Sequence, residues 1–157
     1  MHCIRNILIL FGLGLILACE KDEPTNNDSE IKQGVNQLSK DIVVDGEAYT
    51  SRFRDDFIIR EATIENDSLY LEVEYGGGCG VVNVMLVTNG SFMESYPVQL
   101  HIALSFEDDD TCKALLRKVI STNLSKLADH YRTMYHAEHD SMILHLENYQ
   151  ETILYHF

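Results

Sequence analysis

Apolar residues are arranged in two ways along this chain: one unbroken run near the start, and short alternating runs from about residue 42 onward. The alternation is clearest at residues 98–106, where every second side chain is apolar and the intervening positions include Gln99, His101 and Ser105. A period of two is that of a β-strand with one face in a core. We therefore predict strands at residues 57–64, 69–75, 81–87, 98–106, 142–146 and 152–157.

Turn signals separate these runs. Asp45-Gly46 lies between two apolar-rich segments and predicts a β-hairpin that joins residues 42–44 to 47–50. The glycine cluster around Cys79 predicts a bulge or turn where another backbone, or a disulfide partner, approaches closely. A phosphate-binding loop would need a helix to follow, whereas residues 81–87 have the pattern of a strand.

Residues 115–124 fit both a helical apolar stripe and a strand rich in β-branched residues. We predict a strand over 116–124, followed by a short helix near 125–133 with Leu127, Tyr131 and Met134 on one face. The whole pattern predicts a mainly β domain over residues 41–157. Its expected architecture is an antiparallel β-sandwich of about seven to eight strands with one short helix.

The first apolar run, residues 7–17, follows a single positive charge at Arg5. It is too short to span a bilayer and has the layout of a secretory signal peptide. The run ends in Ile16-Leu17-Ala18-Cys19, which resembles the lipobox of bacterial lipoproteins. That resemblance implies a signal peptide over 1–18, acylation of Cys19 and a flexible tether over 19–40; an ordinary cleaved signal peptide or an uncleaved anchor is the alternative.

The polar residues after the lipobox-like segment indicate a more specific location. Glu20-Lys21-Asp22-Glu23 resembles the acidic export signal of Bacteroidota surface lipoproteins. It implies an outer-membrane protein, anchored through lipid and facing the cell exterior. A solvated acidic tether on the periplasmic face is the alternative.

Charge excludes one class of partner. The chain has 25 acidic and 12 basic residues and a formal net charge of −13. Nucleic acids and anionic membrane surfaces require clustered Lys and Arg. We therefore expect no nucleic-acid partner.

The sequence has four cysteines. Cys3 leaves with the predicted leader and Cys19 is assigned to lipid, so Cys79 and Cys112 remain in the domain. Exported domains fold in an oxidising compartment, where two remaining thiols are expected to pair. A two-thiol metal site is the alternative, although neither cysteine has a CxxC neighbour.

Four stretches of the domain resemble a group of small uncharacterised Bacteroidota lipoproteins: Gly77-Gly78-Cys79, residues 92–99, Asp109-Asp110-Thr111-Cys112 and residues 123–127. The resemblance implies an exported β-rich domain and supplies no activity. Members often carry a histidine three residues after the first cysteine. This chain has Val82 there, so a metal role of that histidine does not carry over.

Candidate metal ligands fall in two segments. His136 and His139, near His130 and His145, are the densest histidines, but their spacing is not that of a helical zinc motif. Asp108 and Asp110 belong to the acidic run 107–110, whose carboxylates are candidate calcium ligands, although the run has no glycine and lacks the ligand spacing of an EF-hand. In both segments a solvated loop is the favoured interpretation, and no cofactor is predicted.

Two further serines are candidate modification sites. Asp67-Ser68-Leu69 and Asp140-Ser141-Met142 resemble the short acceptor motif of Bacteroidota O-glycosylation, which makes Ser68 and Ser141 the predicted acceptors. No nucleophile elbow is present. The sequence therefore predicts a non-catalytic binding or recognition lipoprotein with a glycan or protein partner; a structural or accessory lipoprotein of an envelope assembly is the alternative.

Overall fold

The computed structural model describes residues 37–138 and 140–157. Cys19, the tether up to residue 36 and His139 lie outside the described residues. The elements, in chain order, are β1 (Gln37–Leu38), β2 (Val43–Val44), α1 (Gly46–Thr50), β3 (Phe57–Glu65), β4 (Ser68–Gly77), β5 (Val82–Thr88), β6 (Val98–Asp108), β7 (Ala114–Asn123), α2 (Ser125–Tyr135), β8 (Ser141–Leu146) and β9 (Thr152–His156).

The strands form two sheets. A six-stranded sheet has the order β1-β5-β6-β8-β9, with β2 also paired to β5, and a three-stranded sheet has the order β3-β4-β7. The mainly β, sandwich-like prediction is thus confirmed. Pairing is antiparallel within β3-β4-β7, between β5 and β6 and between β8 and β9. It is parallel between β6 and β8 and where β1 and β2 meet β5, so the larger sheet is mixed and not wholly antiparallel as predicted.

Alternation along the strands correctly identifies the core. Leu69, Leu71 and Val73 of β4 are buried, as are Leu100 and Ile102 of β6. The opposite faces are less uniform than a period of two predicts. Several outward residues are covered by neighbouring segments or held in ion pairs: Ala103, Ser105 and Glu74.

The hairpin predicted at Asp45-Gly46 is wrong. Asp45 is instead the N-cap of α1, and its Oδ1 accepts the Ala48 N–H at 2.7 Å. The preceding strand β2 pairs in parallel with the end of β5, through Val43 and Val44. Because β2 already has a strand partner, the chain need not turn back, and aspartate serves as a helix cap.

The ambiguous segment is a strand. β7 pairs with β4 along its whole length, from Ala114 to Asn123. A helical stripe would have buried Leu115 and Val119, whose exposed fractions are 74% and 67%. The predicted strand over 116–124 is therefore confirmed.

The helix predicted near 125–133 is present as α2, but its buried face differs from the prediction. Leu127, Ala128 and Tyr131 are buried, whereas Met134 is 53% exposed. Tyr135 is partly buried against the core instead. Residues 127, 131 and 135 recur at intervals of four, which keeps them on one helix face.

Candidate functional site

Cys79 and Cys112 form a disulfide with their Cα atoms 5.8 Å apart, which confirms the predicted pair. It joins the loop after β4 to the loop before β7. Those strands are antiparallel neighbours, and their ends meet at Gly77 and Ala114. The bond therefore closes one end of the three-stranded sheet.

Beside the disulfide, the glycine-rich loop surrounds a carboxylate of its own chain. Asp110 Oδ2 accepts N–H groups from Gly78, Cys79 and Gly80 at 2.6 to 2.7 Å, and its Oδ1 accepts the Cys112 N–H at 2.8 Å. The Cys112 N–H and the loop N–H groups hold the Asp110 pKa below its ordinary value. A Cβ at Gly80 would lie 2.9 Å from the Asp110 Cβ, so this approach requires glycine.

The same contacts bear on the predicted metal ligands. Among the described residues, the one group of three convergent metal-type ligands is Cys79, Asp110 and Cys112. Its two sulfurs are bonded to each other, and both Asp110 oxygens accept backbone N–H groups. Asp108 Oδ1 accepts the Asp110 N–H at 2.8 Å. The carboxylates of Asp108 and Asp110 therefore stabilise the turn between β6 and β7 by accepting backbone N–H groups.

The described histidines of the 130–145 segment lie on different elements. His130 Nε2 lies 2.8 Å from the Gly90 carbonyl oxygen, and its ring stacks on Phe92. His136 ends α2 in the left-handed conformation. His145 is on β8, beside His101 of β6. The candidate metal pair His136 and His139, for which a solvated loop is the favoured interpretation, is untested because His139 is outside the described residues.

Ser68 and Ser141 begin β4 and β8, as expected for residues beside turns, and both are partly buried. The aspartates before them are hydrogen-bonded. Asp67 accepts the Tyr155 hydroxyl at 2.7 Å, and Asp140 accepts the Tyr131 hydroxyl at 2.5 Å. Asp140 and burial raise the pKa of Tyr131 to about 12. O-glycosylation of the serines stays a prediction.

The outward face of the β3-β4-β7 sheet carries an ion cluster that sequence patterning missed. Glu74 is only 5% exposed and accepts hydrogen bonds from Arg60 and from Arg117, the latter at 2.9 Å. Arg117 also pairs with Glu72 at 3.1 Å. The two guanidinium groups lower the pKa of Glu74 to about 2, and the pKa values of both arginines are raised. The cluster is held in one geometry, since both Glu74 oxygens have a partner.

A pocket of about 400 Å³ lies on the outward face of the six-stranded sheet. We call it the Phe53 pocket. Ser105 is directly opposite Met85 in the β5-β6 pairing, and the Phe53 N–H donates to Ser105 Oγ at 3.1 Å. Small Ser105 thus lies between two larger side chains, which leaves a depression. The lining residues are Ser39, Phe53, Asn83, Val84, Met85, Ser105 and Glu107.

One end of the pocket is polar and the other is aromatic. Asn83 Nδ2 donates to Glu107 Oε2 at 2.9 Å. Asn83 Oδ1 and Glu107 Oε1 have no hydrogen-bond partner among the described residues, and both side chains are only partly buried. Phe53 is 53% exposed although it is a large apolar ring. Ligand pockets of this volume combine an apolar wall with a few placed polar groups.

No protein-family model matches this chain, and no curated protein matches its sequence. The solved structures that are similar to this chain include three crystal structures from Bacteroidales. A protein of unknown function (DUF1344) from Bacteroides vulgatus is 15% identical, with 77% of this chain and 56% of that chain covered and a TM-score of 0.45.

The second is a candidate toxin-related protein from Parabacteroides distasonis, 15% identical, with 78% and 60% covered and a TM-score of 0.48. The third is a candidate lipoprotein from Bacteroides fragilis, 9% identical, with 77% and 69% covered and a TM-score of 0.46. The match with this chain thus covers less than two thirds of the length of the first two proteins. Such low similarity supports no functional inference.

Proposed function

We propose that this chain is a lipid-anchored outer-membrane protein that faces the cell exterior, and that its β domain is a non-catalytic recognition module whose ligand site is the Phe53 pocket. The lipobox-like Cys19 supports the anchor. Among the described residues, no helix is both long and apolar enough to cross a bilayer. The observation that carries the recognition role is the exposed Phe53 ring in the same pocket as Asn83 Oδ1 and Glu107 Oε1, which accept no hydrogen bond from the described part of the chain.

The pocket favours a neutral ligand rich in hydroxyl groups, such as a sugar unit of a glycan. The acceptors Asn83 Oδ1 and Glu107 Oε1 match hydroxyl donors. The exposed ring offers an apolar surface for the C–H face of a sugar. The carboxylate of Glu107, in a protein of net charge −13, repels anionic ligands. A binding role also agrees with the lining, in which neither serine has a histidine partner for nucleophilic activation.

Phe53→Ala is expected to weaken the binding of a neutral oligosaccharide about tenfold, because it removes an aromatic contact of about 1.4 kcal/mol. Binding is measured by calorimetry after a panel of neutral gluco-, manno-, galacto- and xylo-oligosaccharides has identified one that binds. Tyr96→Ala is the matched control, since Tyr96 is an aromatic residue that is 88% exposed and outside the pocket. Equal losses for both variants would contradict the assignment of the pocket.

Cys19→Ala is expected to release the protein from the membrane fraction, because the acyl chains bind bilayers through their buried methylene groups. Cell fractionation measures this, with Cys3→Ala as the control that leaves anchoring unchanged. Protease treatment of intact cells then tests surface exposure. A Cys19→Ala protein that has lost its leader and still stays in the membrane fraction would refute the lipid anchor without bearing on the pocket.

The outward face of the three-stranded sheet supports a second candidate, an accessory lipoprotein of an envelope assembly. Exposed Ile58, Leu115 and Val119 flank the Glu74 ion cluster. An arginine-containing surface with exposed apolar residues on an edge strand is typical of protein contacts. If no oligosaccharide binds, and Val119→Glu but not Phe53→Ala disrupts a purified envelope complex, the assembly role replaces recognition.

A further inference from the structure

Two histidines meet on the outward face of the six-stranded sheet, away from the Phe53 pocket. His101 of β6 and His145 of β8 are direct partners in the parallel pairing. Their ring centroids are 5.2 Å apart, and the ring planes are inclined by 39°. His101 is exposed and His145 is partly buried, so the pair is accessible from solvent.

This separation suits two imidazoles bound to one metal ion. A metal–nitrogen bond of about 2 Å places the ion roughly 3.2 Å from each ring centroid. Nitrogen–metal–nitrogen angles from a right angle to tetrahedral then separate the centroids by about 4.5 to 5.2 Å. The observed 5.2 Å corresponds to the tetrahedral end of this range. Strand pairing therefore provides the spacing that a metal would need.

A chain of hydrogen bonds prepares His145 as a ligand. Ser95 Oγ donates its one proton to the Pro97 carbonyl oxygen at 2.6 Å. Toward Gln99 it is therefore an acceptor, and the Gln99 amide nitrogen donates to it at 3.2 Å. That contact turns Gln99 Oε1 toward His145 Nε2, 2.7 Å away. His145 Nε2 must then carry the proton, and Nδ1 holds the lone pair.

A hydrogen bond from the second ring nitrogen to an oxygen is the usual support of a metal-binding histidine. We propose that His101 and His145 bind a late divalent transition-metal ion, with water completing its coordination and Gln99 positioning His145. Two imidazoles and water oxygens are a nitrogen and oxygen donor set, and for such a set Cu²⁺ forms the tightest complexes in the divalent series. The negative charge of the protein, −13 overall, attracts the cation. We therefore expect Cu²⁺ to bind more tightly than Ni²⁺ or Zn²⁺.

The test is titration of the purified protein with Cu²⁺, followed by calorimetry and electron paramagnetic resonance. We expect one Cu²⁺ per protein that couples to two imidazole nitrogens. His101→Gln and His145→Gln are each expected to remove one of the two nitrogen couplings and to weaken Cu²⁺ binding at this site at least tenfold. Gln99→Leu should keep both nitrogens and weaken binding about tenfold, as loss of a supporting hydrogen bond does.

His156→Gln is the matched control, since His156 is an exposed histidine on β9. Melting temperatures without metal verify that every variant is folded. Unchanged nitrogen coupling in His101→Gln and His145→Gln would overturn the site. So would an effect of His156→Gln as large as theirs, because the copper would then bind histidines at random.

Discussion

Replacing Cys79 and Cys112 together by alanine is expected to lower the free energy of unfolding by about 3 to 4 kcal/mol. The two cysteines are 33 residues apart in sequence, and a crosslink across such a loop restricts the unfolded chain. The bond also stabilises the folded state, because it closes the end of the three-stranded sheet. There Asp110 accepts N–H groups from the loop after β4 and from the loop before β7. Urea unfolding, with and without a thiol reductant, measures the loss.

The reductant is the internal control for this prediction. It should shift the wild-type transition to that of the double variant and leave the variant unchanged. A double variant as stable as the oxidised wild type would show that the loops hold their geometry without the bond. In that case the Asp110 contacts alone would maintain this end of the sheet.

Tyr155→Ala is expected to cost about 3 to 5 kcal/mol of stability, as deletion of a fully buried aromatic ring does. Tyr155 is 0% exposed, and its ring packs against Phe157. Its hydroxyl donates to Asp67 Oδ1 at 2.7 Å. Since Tyr155 is on β9 and Asp67 is in the turn between β3 and β4, this contact joins the two sheets.

Tyr155→Phe separates the two contributions, because it removes the hydroxyl and keeps the ring. A hydrogen bond to a charged group contributes about 1.5 to 3 kcal/mol, so this variant should lie between wild type and Tyr155→Ala. Tyr96→Ala, at an 88% exposed position, should change stability by less than about 0.5 kcal/mol. Equal stabilities of Tyr155→Phe and the wild type would show that the Asp67 contact does not stabilise the sheet pairing.

Both candidate sites illustrate the limits of sequence reasoning. The alternation in residues 98–106 places His101 and Ser105 on the outward face. It does not tell which residues stand beside them. His145 is 44 positions further along the chain, 145 minus 101, and reaches His101 through the parallel pairing of β6 and β8. Phe53 reaches Ser105 from an irregular segment whose sequence has no strand pattern.

The exposure predicted for outward positions is also wrong wherever a segment distant in sequence covers the side chain. Glu74 occupies a polar position of an alternating strand, which predicts exposure to water. Its burial depends on Arg60 and Arg117, which come from the strands on either side. At Asp45-Gly46, the local signal for a hairpin was outweighed by pairing of β2 with a strand about 40 residues away.

The sequence alone determined the six longer strands of the domain and most of the side chains that they bury, because a period of two depends only on neighbours along the chain. The sequence also determined the Cys79–Cys112 pair, because these are the two cysteines that remain in an exported domain once Cys3 is assigned to the leader and Cys19 to lipid. The tertiary structure decided the strand order, the parallel pairing, the short helix after Asp45 and the neighbours of each outward side chain. These depend on contacts between segments far apart in sequence, and local periodicity does not specify such contacts.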